Sequence, residues 1–199
     1  MFSRNLLKHA AEFRRYLRNG QFEVTETGDV VFARAVAVAA GGYLHDVNGQ
    51  DEQFAKNLLP DQGLVYLLSV GLNNGTKLPT WHLSLYAANY TPLAALTAAS
   101  YPATASEITS NTEGYTESTR RPWTPTAPTT PLIDNLANKA AFTIATASSL
   151  TVNGAALLSE PTKGAVTGTL ISATKFPSAR VLYNTDVFNL AYRVQLTST

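Results

Sequence analysis

The hydrophobic positions at the start of this chain recur at helical spacing. Residues 3–18 place apolar side chains on one side of a helix and Arg and Lys on the other. Ser3 is a suitable N-cap residue, and Asn19-Gly20 provides a left-handed stop. The pattern therefore predicts a basic amphipathic helix with this apolar side: Leu6, Ala10, Phe13 and Leu17.

After this helix the pattern becomes that of short strands. Residues 22–24 and 30–32 flank Thr27-Gly28-Asp29, which predicts a hairpin. We assign residues 1–44 to an N-terminal arm made of the helix and this hairpin. Further on, Asn48-Gly49 predicts a type I′ turn, because both residues tolerate positive φ. The pattern does not decide whether residues 33–57 belong to the arm or to the core.

Helical spacing returns once, at residues 61–72. Pro60 suits a first helical position, where its missing N–H costs nothing. Asn73-Asn74-Gly75 suits the end of the helix. The spacing predicts that four residues of this helix face a core: Leu64, Leu67, Leu68 and Gly71.

The remaining apolar positions alternate. Trp81–Tyr86 reads as a half-buried strand, and residues 87–131 as a long Thr/Pro-rich excursion with a short edge strand at 115–119. Further strands are predicted at 141–147, 150–158, 167–176 and 186–197. The last strand has an apolar face formed by five alternating residues: Phe188, Leu190, Tyr192, Val194 and Leu196. The fold class is therefore mainly β, with a β-sandwich or jelly-roll-like domain over residues 45–199.

Composition favours a subunit that packs against other proteins. Charged residues make up 15% of the chain, the net charge is +1, and there is no cysteine. Few surface charges leave little repulsion between neighbours. Residues 1–20 of the arm are the exception, because they carry five basic residues against Glu12: Arg4, Lys8, Arg14, Arg15 and Arg18. We interpret these as an arm that docks on another protein, and we expect no membrane and no nucleic-acid partner.

The sequence offers no constellation typical of an enzyme, cofactor or metal site. His9, His45 and His82 fall in different predicted elements, and the common catalytic and nucleotide-binding motifs are absent. Oxygen side chains surround Gly49, between Asp46 and Asp51, without the spacing of an EF-hand. A plain turn is the favoured reading, with a bound Ca²⁺ near these two carboxylates left open. We expect a non-enzymatic protein without cofactor.

Several motifs of residues 45–199 resemble a group of small virion structural proteins of tailed bacteriophages. The motifs that carry the resemblance are turns, a helix start and packed aromatics. In chain order they are Asn48-Gly49-Gln50-Asp51, residues 57–64, residues 81–86 with 89–92, Tyr115-Thr116-Glu117, residues 119–125, residues 154–159, Lys163-Gly164, residues 167–170, Lys175-Phe176 and the final strand. The resemblance implies a capsid or neck component, located in the virion, without catalytic residues.

Three hypotheses follow. The first is a capsid decoration (cement) protein that binds other copies of itself and the major capsid protein. The second is a head–tail connector, collar or tail protein. The third is a carbohydrate- or receptor-binding β-sandwich module, with Trp81, Tyr86 and Trp123 as a stacking platform. Besides the basic arm, we predict these interface residues: Tyr90, Tyr101, Tyr115, Arg120, Arg121 and Trp123.

Overall fold

The computed structural model describes residues 23–24, 30–31 and 37–198. The chain divides into two compact units, one of residues 1–38 with 197–199 and one from Ala39 to Leu196. Residues 39–57, which the sequence pattern leaves open, belong to the second unit. The predicted helix at 3–18 lies outside the described residues.

The described chain is mainly β. Twelve strands and three short helical segments are present in this order: β1 (Glu23–Val24), β2 (Val30–Val31), β3 (Ala37–Val47), β4 (Gln50–Lys56), α1 (Asp61–Leu72), β5 (Trp81–Tyr86), α2 (Tyr101–Ala105), β6 (Gly114–Tyr115), β7 (Arg121–Trp123), β8 (Leu132–Asp134), a 3₁₀ turn (Leu136–Asn138), β9 (Ala140–Ala145), β10 (Leu150–Leu158), β11 (Leu170–Leu182) and β12 (Val187–Ser198). In the first unit, β1 and β2 pair antiparallel, with Val24 opposite Val30.

Two sheets form the second unit. The four-stranded sheet has the order β11-β10-β5-β7, and the larger sheet has the order β4-β3-β12-β9-β6, with β8 paired to the end of β12. Just beyond β4, Leu58 and Ala173 exchange both backbone hydrogen bonds, at 2.8 and 3.0 Å. This bridge joins the edge of the larger sheet to β11 of the smaller one.

The main hydrophobic core lies between the sheets. Leu83, Leu85 and Leu157 come from the four-stranded sheet and meet residues of the larger sheet. The aromatic core residues of the larger sheet are Tyr43, Tyr115, Phe142, Phe188 and Tyr192. The predicted apolar face of β12 is confirmed at its first three positions, because Phe188, Leu190 and Tyr192 are buried. This core is what holds the two sheets together.

The hairpin of β3 and β4 confirms the predicted turn. Val47 pairs with Gln50, so the connection has two residues. Asn48 has φ of 53° and Gly49 has φ of 76°, as a type I′ turn requires. Asp46 caps the turn by accepting the N–H of Gly49 at 2.8 Å. Local turn chemistry thus sets the register of this edge.

Strand β5 corrects the prediction of a half-buried strand. Five of its six residues are buried, and both faces are covered. The second face is covered because the excursion after β5 folds back over the sheet and contributes Leu96, Tyr101 and Ala105 to a second cluster with Tyr86. The prediction failed because alternation reports one buried face and says nothing of a cover supplied by a later segment.

Strands β5, β10 and β11 approach each other closely at Gly154. A Cβ atom at this position would lie 2.2 Å from the carbonyl oxygen of Thr174 and 2.3 Å from the hydroxyl of Tyr86. That hydroxyl donates a hydrogen bond to the same carbonyl at 2.8 Å. Only glycine leaves room for this buried contact.

Helix α1 has the predicted span, but the side of the helix that was predicted to face the core is exposed. Pro60 is the N-cap rather than the first helical residue, and Gly75 closes the end by donating to the carbonyl of Ser69 at 2.8 Å. Gly63, not a leucine, is the buried residue, since its backbone packs on Ile171. The four residues predicted to face the core are all exposed: Leu64, Leu67, Leu68 and Gly71.

Candidate functional site

The outer face of α1 carries several exposed apolar side chains. Leu68 is 60% exposed and Leu72 is 84% exposed, with Val65 between them in exposure. The helix has one charged residue, Asp61, in its first turn and no basic residue in its last. A helix that is apolar on all sides is typical of a buried position. An exposed apolar face of this kind marks a surface for interaction.

An apolar cavity of about 370 Å³ opens beside the inner edge of α1. Tyr66 and Leu67 of the helix form one wall, and Trp81 packs edge-on against Tyr66 with ring centroids 5.2 Å apart. Trp123 lies opposite Trp81 in the register of β5 and β7. The other side is formed by segment 128–133 and by the end of β12. Since Leu67 belongs to both, the cavity and the outer face of α1 are continuous.

A buried ion pair lies on the far side of the four-stranded sheet. Glu107 and Arg120 are both 0% exposed, and the guanidinium donates two hydrogen bonds to the carboxylate, each at 2.7 Å. The carboxylate also accepts the hydroxyl of Ser84 at 2.7 Å and the N–H of Gly164 at 3.0 Å. Burial alone would lower the pKa of Arg120, but the hydrogen bonds that its guanidinium donates to Glu107 raise it. The charges are therefore paired and held in place.

This ion pair ties three loop segments together. Arg120 also donates to the carbonyls of Glu160 at 2.9 Å and Ala165 at 3.2 Å. Its own N–H donates to the carbonyl of Pro161 at 2.8 Å. Because every contact is within the chain, Arg120 fixes the loop between β10 and β11 and is structural. A buried charge without such partners would be strongly destabilising.

The structure separates the predicted interface residues into three groups. The five basic residues of the arm lie outside the described residues. Tyr101, Tyr115 and Arg120 are buried within the chain, so in this fold they have no surface to offer a partner. The remaining three are half-buried and retain exposed surface: Tyr90, Arg121 and Trp123. Trp123 also donates from Nε1 to the carbonyl of Tyr192 at 3.2 Å, which fixes its ring at the cavity.

The two carboxylates near the Asn48-Gly49 turn are occupied by cationic side chains. Asp46 accepts Lys139 Nζ at 2.8 Å and Asn189 Nδ2 at 2.7 Å, while Asp51 pairs with Arg180. Burial would raise the pKa of Asp46, but the hydrogen bonds from Asn189 and Lys139 lower it on balance. Within the described residues, no three His, Asp or Glu side chains group as metal ligands would. These charges are used to close one end of the larger sheet.

His45 is a buried, neutral histidine. Its ring stacks on Phe176 with centroids 4.0 Å apart, and its Nδ1 accepts the Nε–H of Arg180 at 3.2 Å. Burial, reinforced by the positive charge of Arg180, lowers the pKa of His45 to about 4. An imidazole with Nδ1 as acceptor carries its proton on Nε2. The residue is thus held as part of the core near one end of the sheets.

Lys163 is a partly buried cation beside the Tyr115 ring. Its ammonium lies 3.5 Å from the centroid of the Tyr115 ring and donates to the carbonyl of Tyr115 at 2.9 Å and to Asn111 Oδ1 at 2.7 Å. Partial burial lowers the pKa of Lys163 to about 8. The contacts pin the β10–β11 loop to β6, next to the Glu107–Arg120 pair.

Comparisons with known proteins add no family assignment. The chain matches no protein-family model, and no curated protein matches its sequence. None of the helices that the structure describes is both long enough and apolar enough to span a membrane.

Proposed function

We propose that this protein is a non-enzymatic structural subunit of a tailed-bacteriophage particle. The observation that carries the proposal is the exposed apolar face of α1, whose leucines are between 40% and 84% exposed. A soluble monomer rarely leaves such a helix face in water. A subunit that is buried in an assembly has a reason to carry one.

The buried charges support a structural role. Glu107 and Arg120 neutralise each other inside the chain, and Asp46 is held by Lys139. Groups that serve catalysis must reach a substrate, whereas these groups are spent on joining loops and closing a sheet. The function is therefore assigned to a surface and not to a reactive centre.

The finer architecture fits the same role. We assign the two packed sheets to a β-sandwich or jelly-roll-like domain, and residues 1–44 to an arm that includes the predicted basic helix. In this proposal the arm docks on a neighbouring protein through its five basic residues. The sandwich supplies a rigid body that presents α1 to another subunit.

Our first position for the protein is the outside of the capsid, as a decoration protein in contact with the major capsid protein. A collar, connector or tail position is the alternative within the virion. Mass spectrometry of purified particles, with the major capsid protein as the internal standard, distinguishes the two. One copy, or a simple fraction, per capsid subunit supports decoration, and about a dozen copies or fewer supports the neck or tail. Absence from particles refutes the structural proposal.

A carbohydrate-binding module is the candidate of another class. It would need Trp81, Tyr86 and Trp123 as an exposed platform, but Tyr86 is fully buried and both tryptophans line the apolar cavity. Sugar sites also need polar side chains that converge on hydroxyl groups. Acrylamide quenching of tryptophan fluorescence tests the alternative. Protection in assembled particles supports the structural role, and equal quenching in free and assembled protein supports the binding module.

A further inference from the structure

Four residues of α1 form an unpartnered seam on its outer side. Leu64, Leu67, Leu68 and Gly71 are spaced i, i+3, i+4 and i+7, the pattern by which a helix packs against another helix. All four are exposed, with Leu64 and Leu67 near 40% and Leu68 at 60%. We call these four residues the α1 seam. Its pattern is that of a core, although all four residues are exposed; of the four, Leu67 also lines the apolar cavity beside the helix.

We propose that the α1 seam binds the α1 seam of a second copy of this chain, antiparallel, around a two-fold axis between Leu67 and Leu68. The inference rests on the proposed function, because it names the partner of the same surface. An isologous contact of this type requires a surface that is complementary to itself. Shape and charge of the seam both meet this requirement.

The shape is complementary because the seam contains both a protrusion and a hollow. In an antiparallel pair centred between residues 67 and 68, Leu64 of one helix lies opposite Gly71 of the other. Gly71 faces open space, since a Cβ atom there would have no neighbour within 4 Å. The leucine of one copy can therefore fill the space above the glycine of the next, twice per pair.

The charge distribution also favours a second copy. Asp61 is the one charged residue of α1 and lies at its beginning. In an antiparallel pair centred between residues 67 and 68, each Asp61 lies opposite position 74 of the other copy. The two Asp61 side chains are then 13 residues apart along the helices, about 20 Å at 1.5 Å per residue, beyond the screening length of about 8 Å. A membrane surface fits less well, because helices that lie in a bilayer interface carry Lys and Arg on the polar side and α1 carries none.

Sedimentation equilibrium of the full chain tests the proposal. We expect a dimer for the wild type and a dissociation constant at least tenfold higher for Leu68→Glu. Val181→Glu is the matched control, because Val181 is 53% exposed and lies at the end of β11 opposite to Ile171, on which α1 packs. It should leave the dimer unchanged. Circular dichroism and thermal unfolding confirm that each variant is folded.

Gly71→Leu separates a self-complementary seam from general stickiness. The variant adds apolar surface, so non-specific association or binding to lipid would stay the same or increase. A seam that places Leu64 over Gly71 is blocked instead, and the dissociation constant rises at least tenfold. Space around Gly71 in the single chain allows the variant to fold.

Disulfide trapping gives an independent readout, since the native chain has no cysteine. Leu68→Cys lies beside the proposed axis and should cross-link two copies on mild oxidation, whereas Val181→Cys at the far end of β11 should not.

Four results would overturn the proposal: a wild-type monomer at 100 μM or above, a trimer, a Gly71→Leu dimer of unchanged strength, or a dimer lost on deletion of residues 1–20 but kept in Gly71→Leu. The last result would show that the arm, and not the α1 seam, holds the two copies together. Each is measured on purified protein, so it leaves the particle test of the proposed function independent.

Discussion

Replacing one partner of the buried Glu107–Arg120 pair should destabilise the protein more than any surface charge replacement. Glu107→Gln keeps the shape of the side chain but removes the charge that faces the guanidinium. Arg120 then retains its carbonyl acceptors at Glu160 and Ala165 but stays charged, because a guanidinium does not lose its proton in proteins. An uncompensated buried charge costs about 3–5 kcal/mol.

The opposite replacement should cost less. In Arg120→Met, the carboxylate of Glu107 keeps the hydrogen-bond donors Ser84 Oγ and Gly164 N, which offset part of the loss of the guanidinium. We expect a loss of roughly 2 kcal/mol, from the broken hydrogen bonds and the packing change. The double variant Glu107→Gln/Arg120→Met should be more stable than Glu107→Gln alone, since it carries no buried cation.

Urea unfolding at pH 7 measures these free energies through a double-mutant cycle, with equal m-values as the check that all variants unfold alike. Asp134 and Arg193 provide a matched surface pair in the same chain, at 2.9 Å with Arg193 44% exposed. Asp134→Asn should cost at most about 1 kcal/mol. The reasoning is refuted if Glu107→Gln costs no more than this control, or if the cycle shows no coupling.

Four further outcomes are expected. The pKa of His45 is lowered to about 4, so the unfolded chain binds more protons than the folded chain between pH 6.5 and 4. The free energy of unfolding should therefore fall by roughly 3 kcal/mol as the pH decreases across that window. Urea titrations of His45→Gln should show a flatter pH dependence. Gly154→Ala should lower stability by about 1–3 kcal/mol or prevent folding, while Gly71→Ala in open space should be neutral or stabilising; equal melting temperatures would contradict the close approach. Trp123→Ala should reduce incorporation into particles, and unchanged folding and incorporation would remove it as an interface residue. Deletion of residues 1–20 should leave the β unit folded but weaken incorporation, and wild-type occupancy would disprove the docking arm.

The sequence predicted local elements better than it predicted their surroundings. The Asn48-Gly49 turn follows from two residues that accept positive φ, so a short window was enough. The span of α1 also follows from local signals, namely Pro60 before it and Gly75 after it. Burial depends on distant segments, which is why β5 was predicted to be half-buried and is buried on both faces.

The candidate site was only partly predictable for the same reason. Helical spacing predicted that the residues of the α1 seam face a core, but all four are exposed, because spacing does not report which surface lies opposite a helix. Arg120 was predicted to be an interface residue because it stands beside Arg121 and Trp123. Its true partner, Glu107, is 13 residues away in the sequence, and no local pattern connects them.

The edges of the two sheets bear on whether copies of this protein can polymerise through their backbones. Exposed strand edges invite open-ended polymerisation by backbone pairing. Here β7 has three residues and contains Pro122, β6 has two residues, and the Leu58–Ala173 bridge joins the remaining two edges to each other. Proline and short strands both discourage the addition of another strand. In the proposed structural role, copies of the protein would associate through side chains in a closed and countable number, while fibre growth along the backbone is disfavoured.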